Sequence, residues 1–195
     1  MELSFCLILR LVVFSLFLAP IAEAQTSVYG SVALTNFGLL NQGSDTSSDA
    51  AGIIGGAFYN FPIRSRLTAG IDGRGGLGLG SGGGEFGAVA LRIGFVPEHV
   101  VLRPYFQLGG GVISWTKKTP ATSGYGFTEN TQSNRYTNGA VEIELGFDVR
   151  LSESFDVRAL ELGAVAGASN SYTSVGTGFV GAGLVYHLHK RPHRS

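Results

Sequence analysis

The chain has 195 residues with 14 Lys or Arg and 14 Asp or Glu, a balance that gives no reason to expect a nucleic-acid partner. Its only cysteine is Cys6, so residues 25–195 hold no disulfide, no thiol nucleophile and no thiolate metal site. The 30 glycines follow no Gly-X-Y period, which excludes collagen, and their density disfavours long helices.

Residues 1–24 have the features of a cleaved secretory signal peptide. Arg10 precedes a short apolar run over 11–18, and Ala22 and Ala24 are the small residues that a signal peptidase requires. We therefore predict cleavage before Gln25 and export of the chain. Arg10 and Pro20 leave the apolar stretch too short and broken for a stable transmembrane helix, and an uncleaved N-terminal anchor is the alternative.

After Gln25, apolar residues recur at every second position, which is the period of a β-strand. In the clearest segment, 138–151, seven apolar or small residues share one parity, and four of the seven residues on the other are charged. The segments that follow this rule are 27–36, 52–60, 67–79, 87–95, 102–115, 138–151, 155–168 and 178–188. Within 102–115, the triplet Gly109-Gly110-Gly111 predicts a bulge that turns Ile113 and Trp115 to the apolar face.

The connections between these eight segments alternate in length. Those at 61–66, 96–101 and 152–154 are short, whereas those at 37–51, 80–86, 116–137 and 169–177 are mostly longer and more polar. Short periplasmic turns and long external loops are typical of bacterial outer-membrane barrels. The sequence therefore predicts an all-β fold, an eight-stranded antiparallel up-and-down transmembrane β-barrel spanning 25–188.

Charged residues gather on the polar parity of the strands, and their signs nearly balance. An eight-stranded lumen is just wide enough to be filled by side chains, so these charges are expected to pair inside it as a plug rather than line a narrow pore. Aromatic residues near both ends of the strands, such as Phe58 and Trp115, suggest two interfacial girdles. The predicted charge network of the lumen comprises Asp72, Arg74, Arg92, Arg103, Glu142, Glu144, Asp148, Arg150 and Glu161.

The last segment places apolar residues at alternate positions and an aromatic residue near its end: Val180, Ala182, Leu184, Tyr186 and Leu188. The run 146–152 followed by 155–158 has the form of a strand–turn–strand unit. In these features the chain resembles the small OmpA-like or OmpX-like outer-membrane barrels. The resemblance implies that the last strand is the signal read by the barrel-assembly machinery. Residues 189–195 do not follow this resemblance, and we expect them to form a basic periplasmic tail.

No catalytic constellation stands out. All four histidines, His99, His187, His189 and His193, lie at or near the predicted periplasmic end, away from the outer rim where barrel hydrolases place theirs. Basic residues interleave with the tail histidines and disfavour a metal ion there. The sequence therefore predicts no enzyme activity, no cofactor and no metal site.

The function predicted from these features is structural or interactive, exerted at the bacterial outer membrane through external loops. The longest loop carries Tyr125, Phe127 and Tyr136, which suit contact with an extracellular ligand. The expected partners are outer-membrane lipid and lipopolysaccharide, the barrel-assembly machinery and a loop ligand, with no nucleic acid. The alternatives are a narrow channel or small-ligand-binding barrel, or a soluble lipocalin-like carrier if the two faces are inverted.

Overall fold

The computed structural model describes residues 25–39, 47–79, 83–97, 100–120, 131–168 and 174–188. They form one closed antiparallel barrel in which each strand pairs with the next and β1 pairs with β8, so no strand edge is left open. The predicted fold is therefore confirmed. The strands are β1 (Gln25–Leu39), β2 (Ser47–Arg64), β3 (Leu67–Gly78), β4 (Gly84–Phe95), β5 (Leu102–Pro120), β6 (Thr131–Arg150), β7 (Phe155–Ala168) and β8 (Val175–His187).

The barrel has two distinct ends. We call the end that carries the β2–β3, β4–β5 and β6–β7 connections the turn end, and the opposite end the loop end. At the loop end the strands run further than predicted, since β5 and β6 stay paired as far as Pro120 and Thr131. The predicted loop at 116–137 is thus too long, and the predicted signal peptide, loop residues 121–130 and tail 189–195 lie outside the described residues. No helix among the described residues is long and apolar enough to cross a membrane.

Inward and outward positions alternate along each strand. In β1 the buried residues include Ser27, Tyr29 and Ser31, while Val32 and Leu34 remain 70% and 69% exposed. The same alternation in the other strands builds an exterior of large apolar side chains. Exposed charged side chains of the described strand residues lie only near strand ends: Asp49, Arg64, Glu85, Arg135 and Arg150.

The pairing register overturns one local prediction. Pairing continues without a shift along 109–111 on both sides of β5, so the glycine triplet forms no bulge, and Ile113 and Trp115 face the lumen. Gly109 and Gly111 lie against the inward-facing Ala90 and Ala88 of β4, where an added Cβ would collide with them. Close approach of two strands therefore accounts for these glycines.

The exposed aromatic side chains of the described residues lie in the turn-end half of the barrel. Phe155 and Tyr186 pack there with ring centroids 4.9 Å apart, and Tyr59 and Phe95 are exposed near the same end. Phe58 and Trp115, predicted for a girdle near the long loops, are buried in the lumen instead. The cause is strand parity, because both residues stand on inward positions.

Candidate functional site in the barrel lumen

The structure buries eight of the nine residues predicted for the lumen charge network. Arg150 differs: it is the last residue of β6 and is exposed at the turn end, where the wall of the barrel stops. The prediction that Arg150 belongs to the buried network is therefore wrong. The eight buried residues are Asp72, Arg74, Arg92, Arg103, Glu142, Glu144, Asp148 and Glu161.

Arg74 of β3 stands at the centre of the network. Its Nε lies 3.3 Å from Oε1 of Glu142, and its Nη1 donates a 3.3 Å hydrogen bond to Oε1 of Glu161. It also pairs with Glu144 and with Asp72, whose Oδ1 is 3.6 Å from Nε. These partners come from β3, β6 and β7, so one guanidinium ties three strands together across the lumen.

Arg158 is a network residue that sequence parity missed. The β7–β8 register shifts between Arg158 and Glu161, and this irregularity turns both residues inward although their numbers have opposite parity. Arg158 donates from Nε to Asp148 over 3.1 Å and from Nη1 to Glu161 over 3.2 Å. A register shift is set by pairing with a neighbouring strand, so alternation within one strand cannot show it.

Aromatic rings enclose the same guanidinium groups. Arg92 lies over Tyr105, with its Cζ 3.7 Å from the ring centroid, and Arg158 lies over Tyr29 at 4.0 Å. The Tyr29 hydroxyl donates to Asp72 over 2.8 Å. Stacking against ring faces stabilises a desolvated guanidinium, so these tyrosines stabilise the buried arginines in addition to the ion pairs.

A hydrogen-bonded chain crosses the turn end of the lumen. Arg103 Nη1 donates to Asp156 Oδ2 over 3.1 Å, the same oxygen lies 3.0 Å from His187 Nε2, and His187 Nδ1 lies 2.7 Å from Ser27 Oγ. Ser, His and Asp follow one another as in a hydrolase triad, but Ser27 is 0% exposed, which leaves a substrate no access to its hydroxyl. These hydrogen bonds thus join β5, β7, β8 and β1, beside the β1–β8 pairing that closes the barrel.

An apolar layer fills the loop-end half of the lumen. Phe37 and Ile113 are fully buried, and the rings of Phe86 and Phe179 stack with centroids 5.8 Å apart. These side chains belong to one cluster with buried residues from β1, β2, β4, β5, β7 and β8. Below it, four guanidiniums and six carboxylates are buried toward the turn end. Both layers occupy the lumen with side chains, which is the expected state of an eight-stranded barrel.

The other predicted site residues lie outside the lumen or outside the described chain. Val180, Ala182, Leu184, Tyr186 and Leu188, which the resemblance implies as an assembly signal, all face outward. Tyr136, predicted as a loop residue, belongs to β6 and stacks on Trp115 at 6.4 Å between centroids, so that prediction is corrected. Tyr125 and Phe127 lie outside the described residues. Among the described residues, no group of three or more His, Cys, Asp or Glu could hold a metal ion.

Solved structures share this fold. Ail, the attachment invasion locus protein of Yersinia pestis, aligns with 85% of this chain and 99% of its own at a TM-score of 0.53 and 13% identity. Neisserial surface protein A aligns over 84% and 97% at a TM-score of 0.53 and 12% identity.

The chain thus has the fold of small eight-stranded outer-membrane barrels, and the resemblance to the OmpA-like or OmpX-like group is confirmed at the level of fold. No protein-family model matches the chain. No curated protein matches it either.

Proposed function

We propose that this protein is a non-catalytic integral barrel of the bacterial outer membrane that holds its loop-end connections at the cell surface. The observation that carries the proposal is the arrangement of the two faces. Charged side chains are buried in the lumen, whereas large apolar side chains such as Leu34 and Leu91 stay 69% and 68% exposed outside. A soluble barrel requires the opposite arrangement, with apolar side chains inside and charged side chains outside. The apolar exterior is therefore suited to contact with lipid.

The paired ends of β5 and β6 support a role at the cell surface. The two strands stay paired as far as Pro120 and Thr131, and the connection 121–130 between them includes Tyr125 and Phe127. The names of Ail, an attachment invasion protein, and of neisserial surface protein A agree with such a role. We place the loop end outside and the short turns in the periplasm, with lipid and lipopolysaccharide around the barrel. The assembly machinery would read the outward residues of β8.

The filled lumen favours this function over a narrow channel or a small-ligand carrier. The ion-pair network around Arg74 and the apolar layer around Ile113 lie one above the other, so an ion would have to displace both. A soluble carrier is disfavoured by the apolar exterior. We therefore assign recognition to the loops and anchoring to the strands.

Fractionation with surface proteolysis tests the proposal. We expect the expressed protein, beginning at Gln25, to stay with outer membranes after carbonate extraction and to show a heat-dependent shift on a denaturing gel. Replacing 121–130 by a Gly/Ser link should leave that shift intact, because the connection lies outside the paired strands. Protease added to whole cells should cleave the wild-type loop. Recovery in the soluble periplasmic fraction would refute the membrane location, and a resistant loop on intact cells would refute its exposure.

A further inference from the structure

The buried charges of the lumen do not balance. Among the described residues, six buried carboxylates face four buried guanidiniums, and the imidazole of His187 adds one more positive charge when it is protonated. The lumen therefore holds a negative charge in excess if every carboxylate is ionised, and an uncompensated buried charge is costly in low dielectric. The carboxylates are those of Asp72, Glu142, Glu144, Asp148, Asp156 and Glu161, and the guanidiniums those of Arg74, Arg92, Arg103 and Arg158.

The contacts locate this excess at Glu142 and Glu144. These two carboxylates contact only Arg74 among the described cations, at its Nε and its Nη1. The other four carboxylates each accept a hydrogen bond from a residue other than Arg74. These donors are Arg92 and Arg158 for Asp148, Arg103 for Asp156, Arg158 for Glu161, and Tyr29 and Gln107 for Asp72.

Burial and hydrogen bonding give a second, independent sign of the same excess. The side chains of Glu142 and Glu144 are both 0% exposed. Oε2 of Glu142 and Oε1 of Glu144 accept no hydrogen bond from a described residue. A carboxylate in such a place lacks both water and donors, so its ionised form is poorly stabilised.

The surrounding strands supply this pair with no cation besides Arg74. On the flanking strands, uncharged residues pair with Glu142 and Glu144: Gly109 and Gln107 of β5, and Val165 and Gly163 of β7. The charged groups of other strands that act on Glu142 are Arg74, Asp72 and Glu161, two of them negative. The described part of β2 buries no titratable side chain. The remaining buried titratable groups are Tyr29 of β1, Arg92 of β4, Arg103 and Tyr105 of β5, Asp148 of β6, Asp156 and Arg158 of β7, and His187 of β8.

We propose that Glu142 and Glu144 hold one proton between them at neutral pH and form a pH-sensitive element in the wall of the barrel. One carboxyl group stays ionised against Arg74 and the other is neutral, as in other carboxyl pairs that share a site. A metal ion does not fit, because the described residues offer no suitable group of ligands, whereas a proton needs no coordination shell. The inference goes beyond the proposed function, since it concerns the lumen and not the loops.

The proton makes the stability of the barrel depend on pH in a definite direction. In the unfolded chain both glutamates are ionised at neutral pH, so the folded barrel binds one proton more than the unfolded chain does. Stability therefore falls as the pH rises and the folded barrel loses this proton. The lost proton leaves two like charges in contact with one guanidinium.

Infrared spectroscopy of the barrel purified in an ester-free detergent detects the proton directly. At neutral pH we expect the wild-type protein to show the carbonyl stretch of a protonated carboxylic acid, and to lose it at alkaline pH. Glu142→Gln and Glu144→Gln should each abolish this band, because the remaining carboxylate is ionised against Arg74. Glu85→Gln is the matched control, since this glutamate is 50% exposed on the exterior, and its spectrum should keep the band.

Urea unfolding in lipid vesicles measures the consequence for stability. Between about pH 5 and about pH 9, where a glutamate in water is ionised, the urea midpoint of Glu142→Gln should fall less with rising pH than that of the wild type. Glu85→Gln should follow the wild type. No carboxylic acid band in the wild type at neutral pH, or a band that persists in either lumen variant, would overturn the proposal. Parallel midpoints of Glu142→Gln and the wild type would do the same. Should both lumen variants fail to fold, the wild-type band and its loss at alkaline pH decide.

Discussion

The two halves of the lumen are filled by different chemistry. Toward the turn end, four arginines and six carboxylates are buried in shared ion pairs, with Arg74 in contact with four acidic side chains. Toward the loop end, buried aliphatic and aromatic side chains such as Ile113 and Phe179 pack without charge. Both halves close the same barrel, yet they should respond to substitution very differently.

The difference follows from how each interaction fails. Removing one partner from a buried ion pair leaves the other charge without compensation in low dielectric. Removing a methyl group from an apolar cluster leaves a small cavity that neighbours partly fill. We therefore expect the loss of one charged side chain in the turn-end half to destabilise the barrel strongly, while the loop-end half tolerates conservative changes.

The largest effect is expected from Arg74→Met. The substitution keeps much of the side-chain volume but leaves four carboxylates without their shared cation, which should cost about 3–5 kcal/mol of unfolding free energy. Urea unfolding in lipid vesicles, followed by the fluorescence of Trp115, the only tryptophan, measures the change. Arg150→Met is the control, because this exposed arginine lies outside the network and should shift stability by no more than about 0.5 kcal/mol. Equal losses in the two variants would contradict the network.

Leu145→Arg tests the outward, lipid-facing side of the barrel. Leu145 is outward and 49% exposed in β6, between the inward-facing Glu144 and Gly146, so an arginine there should cost about 2–4 kcal/mol in a bilayer. Leu151→Arg, just beyond the turn end of β6, should cost about 0–1 kcal/mol, because the penalty falls near the interface. The comparison uses reversible folding into vesicles. A reversed order would mean that the lipid-facing band has been misplaced.

Ile113→Val samples the apolar half of the lumen. The side chain is fully buried, and loss of one methylene should cost about 0.5–1.5 kcal/mol. The same urea titration measures this loss of unfolding free energy for comparison with that of Arg74→Met. If the valine variant were the less stable of the two, the distinction between the halves would have to be abandoned.

The smallest effect is expected from Arg135→Gln. Its ion pair with Glu85 is exposed, and such pairs contribute about 0–1 kcal/mol, so the barrel should unfold almost as the wild type does. A loss comparable to that of Arg74→Met would show that Arg135 has a structural role.

Strand alternation predicted most of the fold because it is a local property. The run 138–151 separates Glu142 and Glu144 from Ile143 and Leu145 by parity alone, and the structure buries the first pair and exposes the second. Alternate long and short connections then determined the up-and-down order, since neighbouring antiparallel strands must connect at opposite ends in turn.

Residues whose orientation depends on a neighbouring strand could not be predicted in the same way. Arg158 was not predicted to face the lumen because the register shift before Glu161 depends on pairing with β8. Trp115 was predicted outside because the glycines before it suggested a bulge, whereas they accommodate the close approach of β4. The outward glycines Gly30, Gly55, Gly75 and Gly87 likewise form a row that can be recognised only when four strands are aligned in register.

The most direct test of the closed lumen is the ion conductance of the purified wild-type barrel in a planar lipid bilayer. The packed charge network and the apolar layer above it predict insertion without conductance steps. Stable, reproducible steps of ion current from the inserted wild-type protein would contradict the account, because they require an open path past Arg74 and Ile113.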